Sequence, residues 1–84
     1  MDYELVYTER AVRDITKLDR ATRERIRKTL ERYRRSPFDY AQKMADPKLG
    51  SYRFRIGEYR VIFDIEGDQI VILRVGHRRE IYRG

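Results

Sequence analysis

The sequence predicts an α+β fold: an amino-terminal strand and a helical hairpin packed on an antiparallel sheet whose last three strands form a meander. Three observations lead there. Apolar residues recur at helical spacing in the first half of the chain and alternate at strand spacing in the second half. The alternating runs are separated by Gly57-Glu58 and Gly67-Asp68, dipeptides suited to tight hairpins. Helices first and strands after, without an internal repeat, favour segregated layers over a strand-helix-strand alternation. Because 84 residues leave room for one hydrophobic core, residues 1–84 are read as a single domain.

The elements follow in order. Tyr3 to Tyr7 is rich in β-formers and reads as a first strand that joins the sheet. Thr8 is placed to cap a helix whose apolar positions are Ala11, Ile15 and Leu18. Asp19 then interrupts the stripe as a cap for a second helix. That helix runs from about Arg20 to Arg34, with Ile26, Leu30 and Tyr33 on one side, and Ser36-Pro37 ends it. Phe38 to Gly50 has no sustained period and reads as a loop with one helical turn. Ser51 to Ile56, Tyr59 to Glu66 and Gln69 to Val75 are the three strands of the meander.

Composition narrows the function. Cysteine is absent, which removes disulfides and thiolate metal sites and fits a reducing cytoplasm. The start, Met1-Asp2-Tyr3-Glu4, is acidic where a secretory leader is basic, and no apolar run approaches the roughly 20 residues of a membrane span. A soluble, unprocessed, cytoplasmic protein without a membrane partner is expected. Lys and Arg number 20 against 14 Asp and Glu, a net charge of +6, so the expected partner is anionic. Most of the basic residues are arginine, whose planar fork binds phosphate bidentately and stacks on bases. Nucleic acid is favoured, although most single arginines on helices simply solvate a face. One histidine and scattered carboxylates offer no metal-ligand spacing. No glycine-rich phosphate loop precedes a helix, and no serine or cysteine nucleophile stands beside a base. No metal and no small-molecule cofactor is expected.

Strand parity then separates two faces. A two-residue Gly57-Glu58 loop pairs Ile56 with Tyr59, Arg55 with Arg60, Phe54 with Val61 and Arg53 with Ile62. One face holds Tyr52, Phe54, Ile56, Tyr59, Val61, Phe63, Ile65, Ile70 and Ile72, enough to receive the helices. The other holds Arg53, Arg55 and Arg60 around an apolar floor of Val71, Leu73 and Val75. Like charges directly opposite one another cost a few tenths to about 1 kcal/mol. A phosphodiester between Arg55 and Arg60 would turn that repulsion into a clamp. The alternatives are neutralisation by Asp64 or Glu58, or side chains splayed into water. At the end of the chain lies the only histidine, His77, which exchanges protons near neutrality, with Tyr82, which can stack on a base. Simple parity places His77 on the arginine face and Arg78 behind it; a bulge at Gly76 would exchange them.

The runs Tyr52-Arg53-Phe54-Arg55-Ile56-Gly57-Glu58-Tyr59-Arg60-Val61-Ile62-Phe63 and Val75-Gly76-His77-Arg78-Arg79-Glu80-Ile81-Tyr82-Arg83 resemble the RelE/ParE superfamily of toxins from type II toxin-antitoxin operons, on its RelE-like branch. The resemblance implies a RelE-like fold over essentially the whole chain. It also implies a ribosome-dependent endoribonuclease, an mRNA interferase that cuts messenger in the vacant A site and is held inactive by a cognate antitoxin. By the same resemblance, Arg60 and Arg78 match arginines that hold the scissile phosphate, and Tyr82 matches a tyrosine that stacks on the substrate nucleotide. Arg53 and Arg55 stand where relatives carry basic residues, usually lysines, that contact the messenger and assist the attacking 2′-hydroxyl. A guanidinium with a pKa above ~12 is a poor general base, so His77 becomes the candidate proton carrier. The expected catalytic set is therefore Arg55, Arg60, His77, Arg78 and Tyr82. The RNA-binding set is Arg53, Arg55, Arg60 and Arg79, with ribosome, messenger and antitoxin as partners. Two rivals share the scaffold: a ParE-like inhibitor of DNA gyrase without nuclease activity, and a degenerate toxin kept as an antitoxin-binding corepressor.

Overall fold

A computed structural model describes residues 2–46 and 48–82. Met1, Pro47, Arg83 and Gly84 lie outside the described residues, and with them the Arg83 end of the carboxy-terminal motif. The elements are β1 (Glu4–Tyr7), α1 (Glu9–Thr16), α2 (Arg20–Tyr33), a 3-10 turn (Pro37–Asp39), β2 (Gln42–Lys43), β3 (Tyr52–Ile56), β4 (Tyr59–Glu66) and β5 (Gln69–His77). The five strands form one sheet in the order β1-β5-β4-β3-β2. The meander is antiparallel as expected; β1 joins it parallel to β5, from Glu4 opposite Gln69 to Tyr7 opposite Ile72, which makes the sheet mixed.

Local chemistry sets the element ends. The Thr8 hydroxyl accepts from the Ala11 N–H at 3.1 Å, and the Asp19 carboxylate accepts from the Thr22 N–H at 3.3 Å, so each helix starts on its own cap. Gly57 and Gly67, both at φ 59°, supply the left-handed first position of their hairpin turns, a conformation in which a Cβ is strained. The helices cover one face of the sheet. Ala11, Ile26 and Leu30 meet Phe54, Phe63 and Ile72, and the rings of Phe54 and Phe63 stack at 4.2 Å. All nine meander residues assigned to this face by parity lie in the core or pack against it.

Two sequence expectations change. The stretch read as a loop with one helical turn also contains β2, where Gln42 pairs with Arg53 and Lys43 with Tyr52; two residues are too few to show a period. Val75, expected on the arginine floor, is buried in the helix-side core. The cause is a β-bulge. Ile62 pairs with Arg74 but Phe63 pairs with Ile72, so Leu73 is an extra residue on β5 and the parity beyond it is inverted. The bulge sits where β1 ends and α1 begins, and there Thr8 takes over the strand edge, its N–H donating to the Ile72 carbonyl at 3.1 Å and its hydroxyl to the Leu73 carbonyl at 3.3 Å.

On the opposite face, Ile62 and Ile81 are buried outside the main core. Gly50 passes so close that a Cβ there would stand 2.5 Å from Ile62 Cγ2 and 3.0 Å from Leu73 Cδ1. Ile81 lies against Gly76, whose missing side chain leaves the space that Ile81 fills. Ile81, buried against Gly76, anchors the segment that carries Arg78 and Tyr82.

Candidate nucleic-acid interface

The β3–β4 hairpin places Arg55 directly opposite Arg60, and Arg53 opposite Ile62, on the face away from the helices. In a two-residue hairpin Ile56 and Tyr59 form the hydrogen-bonded pair, so Arg55 and Arg60 form the closer, non-hydrogen-bonded one. Neither alternative source of neutralisation is present at that pair. Glu58 holds Arg78, with Arg78 Nε 2.7 Å from Glu58 Oε2, and Asp64 accepts from the Ser51 N–H at 2.8 Å. Arg60 folds over its own turn, and its Nη1 donates to the carbonyls of Gly57 at 2.9 Å and Tyr59 at 2.8 Å. Arg55 is exposed and makes no ion pair or hydrogen bond among the described residues.

Beyond β5 the chain turns back on itself. The His77 carbonyl accepts from the N–H groups of Glu80 (2.9 Å) and Ile81 (3.0 Å), and the Arg78 N–H donates to the Glu58 carbonyl at 2.8 Å. This turn brings Tyr82 to β3, where its hydroxyl accepts from Arg53 Nη1 at 3.1 Å and the Arg53 guanidinium lies 5.9 Å from its ring centre. Arg53 Nε also donates to Gln42 Oε1 at 3.1 Å. Arg53, Arg55, Arg60, Arg78 and Tyr82 are thus gathered around one hairpin and the turn beside it. Arg79 is exposed at the rim.

His77 goes elsewhere. Opposite Tyr59, it lies on the helix side of the sheet, its ring edge-on to the Tyr59 ring at 5.6 Å. The bulge that exchanges His77 and Arg78 is real, but it falls at Leu73 and not at Gly76. The imidazole Nδ1 accepts from the Arg79 N–H at 3.2 Å, which places the proton of the neutral ring on Nε2.

Two residues unassigned by sequence reasoning support the site. Asp14, buried on α1, accepts from Arg74 Nε at 2.8 Å and from the Val75 N–H at 3.0 Å, so it pins β5 just before the functional turn. Burial pushes its carboxyl up, but the hydrogen bonds from Arg74 and Val75 and the charges of Arg74 and Arg10 outweigh that effect. The carboxyl is held below the ordinary carboxylate range. Its signal in the sequence was a charged residue three positions after Ala11, on the apolar stripe of a helix. Arg25 of α2 lies over the hairpin tip, its guanidinium so close that a Cβ at Gly57 would be 2.7 Å from Nη2. Nothing in the local pattern of α2 marks that arginine out from its neighbours.

Among the described residues no group of His, Asp and Glu side chains is arranged to hold a metal ion, and no helix is long and apolar enough to cross a membrane. What this face offers is a row of hydrogen-bond donors and positive charge with an aromatic ring beside it, chemistry suited to a phosphodiester backbone and a stacked base.

Known proteins share this fold. Residues 5–82 match the model of the ParE toxin of type II toxin-antitoxin systems. The chain is 29% identical over 82 residues to toxin RelE3 of Methanocaldococcus jannaschii, with 93% of each chain covered. Its structure resembles that of the toxin-antitoxin complex RelBE2 from Mycobacterium tuberculosis, with TM-score 0.84 and 27% identity over 93% of this chain and all of that one. It also resembles free RelE toxin of E. coli, with TM-score 0.79 and 26% identity over 98% of this chain and 92% of that one. Homologues have been crystallised in complex with their antitoxins, and a mutant of one has been solved in the free state. With the matched region spanning nearly the whole sequence, the chain belongs to the RelE/ParE family of toxins from type II toxin-antitoxin systems.

Proposed function

We propose that this toxin is a ribosome-dependent endoribonuclease that cuts messenger in the A site, acts in the cytoplasm and is silenced by a cognate antitoxin. The observation that carries the reading is the Arg55–Arg60 pair, two arginines at directly facing strand positions with no carboxylate bound to either among the described residues, beside a tyrosine already held by Arg53. In the reaction, the 2′-oxygen attacks the adjacent phosphorus and the bond to the 5′-oxygen breaks. The products are a 2′,3′-cyclic phosphate and a 5′-hydroxyl end. Arg60 and Arg78 stabilise the charge that grows on the phosphorane oxygens, Arg55 grips the backbone, and Arg53 contacts the messenger beside Tyr82. Arg79 adds charge at the rim, and Tyr82 stacks on the nucleotide so that attack is in line. Arg78 exchanges Glu58 for the phosphate on binding; as an exposed pair, the Glu58 contact costs little to give up.

His77 lies across the sheet from the arginine pair and takes a positioning role in place of proton transfer: its Nδ1 and carbonyl hold the turn that carries Arg78 and Tyr82. The chain then contributes charge and geometry; the 2′-hydroxyl proton leaves to, and the departing 5′-oxygen takes a proton from, the ribosomal and solvent surroundings. The test is primer extension on messenger from translating ribosomes given purified toxin, which should show cuts within A-site codons.

Two observations favour a second reading, inhibition of DNA gyrase without cleavage. The family model that matches describes ParE, and two of the key guanidinium groups, those of Arg60 and Arg78, already bind groups of the protein itself. Supercoiling assays with equimolar toxin separate the two readings.

A further inference from the structure

Gln42, Arg53 and Tyr82 come from three separate elements, the edge strand β2, strand β3 and the turn after β5, and form one continuous polar chain. Arg53 sits in the middle. Its Nε donates to Gln42 Oε1 at 3.1 Å and its Nη1 to the Tyr82 hydroxyl at 3.1 Å. A guanidinium has only donors, so it fixes the Gln42 amide with its oxygen inward. The amide NH2 is thereby turned toward solvent on an exposed side chain. The Tyr82 hydroxyl, which accepts from Arg53, likewise has its own proton free to donate. Beside the exposed Tyr82 ring there is consequently a rim in which donors predominate: the Gln42 amide NH2 and the outer N–H groups of Arg53, which only donate, and the Tyr82 O–H.

We infer that Gln42, Arg53 and Tyr82 form a base-reading site that selects keto bases, guanine and uracil, over amino bases, adenine and cytosine. A base stacked on Tyr82 turns an edge to this rim. Guanine O6 and uracil O4 accept from it, whereas the adenine N6 and cytosine N4 amino groups meet donors with donors and lose a hydrogen bond on burial. Gln42 is the specificity-determining residue because its amide is the one group whose polarity a single substitution can reverse. The inference rests on the reading that this face binds RNA, and deepens it by naming the class of nucleotide taken.

The test uses the full chain and has two arms. Translating ribosomes programmed with a messenger randomised at the A-site codon should be cut by wild-type toxin with about a tenfold preference for G and U over A and C at one codon position. Gln42→Ala should flatten that preference, and Gln42→Glu, which replaces the donor by an acceptor, should move it toward A and C. A cut profile unchanged in both variants overturns the inference while leaving the nuclease reading intact. Should wild-type toxin cut nothing, the nuclease reading falls and the second arm decides alone. In it, oligouridine and oligocytidine of equal length, which differ at the keto and amino position, are titrated into the free protein and followed by tyrosine fluorescence. Wild-type protein should bind oligouridine severalfold more tightly, Gln42→Glu should reverse the order, and Tyr82→Leu should lose both. Equal affinity of wild-type protein for the two, or an order that Gln42→Glu leaves unchanged, overturns the base-reading site. Circular dichroism spectra of the variants that match wild type exclude misfolding as the cause.

Discussion

Arg55 and Arg60 face each other across the β3–β4 hairpin in direct register, and no carboxylate pairs with either among the described residues. Two cations at a non-hydrogen-bonded position repel, and a protein selected for stability alone gains by removing one of them. Arg55→Thr should therefore raise stability by a few tenths to about 1 kcal/mol, read from the urea midpoint, since threonine also suits a strand. The same variant should weaken RNA binding. A variant both less stable and less active would show that the pair helps hold the fold.

Arg78 and Glu58 give the electrostatics a second readout. If Arg78 exchanges Glu58 for a phosphate, Arg78→Ala removes one phosphate contact, and the slope of log affinity for single-stranded RNA against log salt should become shallower by about 0.7. Glu58→Gln should strengthen binding at low salt, because nothing then competes for Arg78. Filter binding at four salt concentrations measures both. A slope unchanged by Arg78→Ala would place the phosphate elsewhere.

Asp14 links stability to pH. Its carboxyl is held below the ordinary range in the folded chain, so the unfolded chain takes up the proton first as the solution is acidified. Its contribution is fully present above the unfolded value near about 3.9 and is lost as pH falls through the lower folded value. Asp14→Ala, which orphans the Val75 N–H and Arg74, should cost about 1–3 kcal/mol at pH 7. The gap to wild type should narrow below about pH 4. Denaturation at pH 7 and at pH 3 checks the sign; a gap that widens in acid would contradict it. Because Asp14 fixes β5 immediately before Gly76, the variant should also lose activity at temperatures where it remains folded.

Gly50 sits at φ 152°, where a side chain is rare, and a methyl group there would press on Ile62 and Leu73. Gly50→Ala should destabilise by roughly 1–3 kcal/mol through strain and overpacking. Thermal or urea unfolding measures it, and a neutral result would show that Ile62 and Leu73 are loosely packed against Gly50.

Much of this architecture was legible in the chain because its signals are periodic. Phe54, Val61 and Phe63 alternate cleanly, Ala11 and Leu30 keep helical spacing, and Gly57 and Gly67 mark the turns, so hairpin register and the arginine face followed from counting. What counting could not locate was the single extra residue at Leu73. A bulge depends on where β1 stops and Thr8 begins to cap, a tertiary event, and it moved Val75 into the core and His77 away from the arginines. The contacts of Gln42, Arg25 and Asp14 were hidden for a related reason. Each joins elements far apart in sequence, Arg53 with β2 and Tyr82, Gly57 with α2, Val75 with α1, and no local pattern encodes such meetings.

The central claim is that the arginine face cuts messenger on the ribosome. A toeprint on a translating messenger measures it most directly, with wild-type toxin, Arg60→Ala and Arg78→Ala compared at equal dose. Wild-type toxin should cut in the A site, and each variant should lose about 10²–10³-fold in rate. Intact messenger at a stoichiometric dose of wild-type toxin, with gyrase supercoiling inhibited by the same preparation, would contradict it.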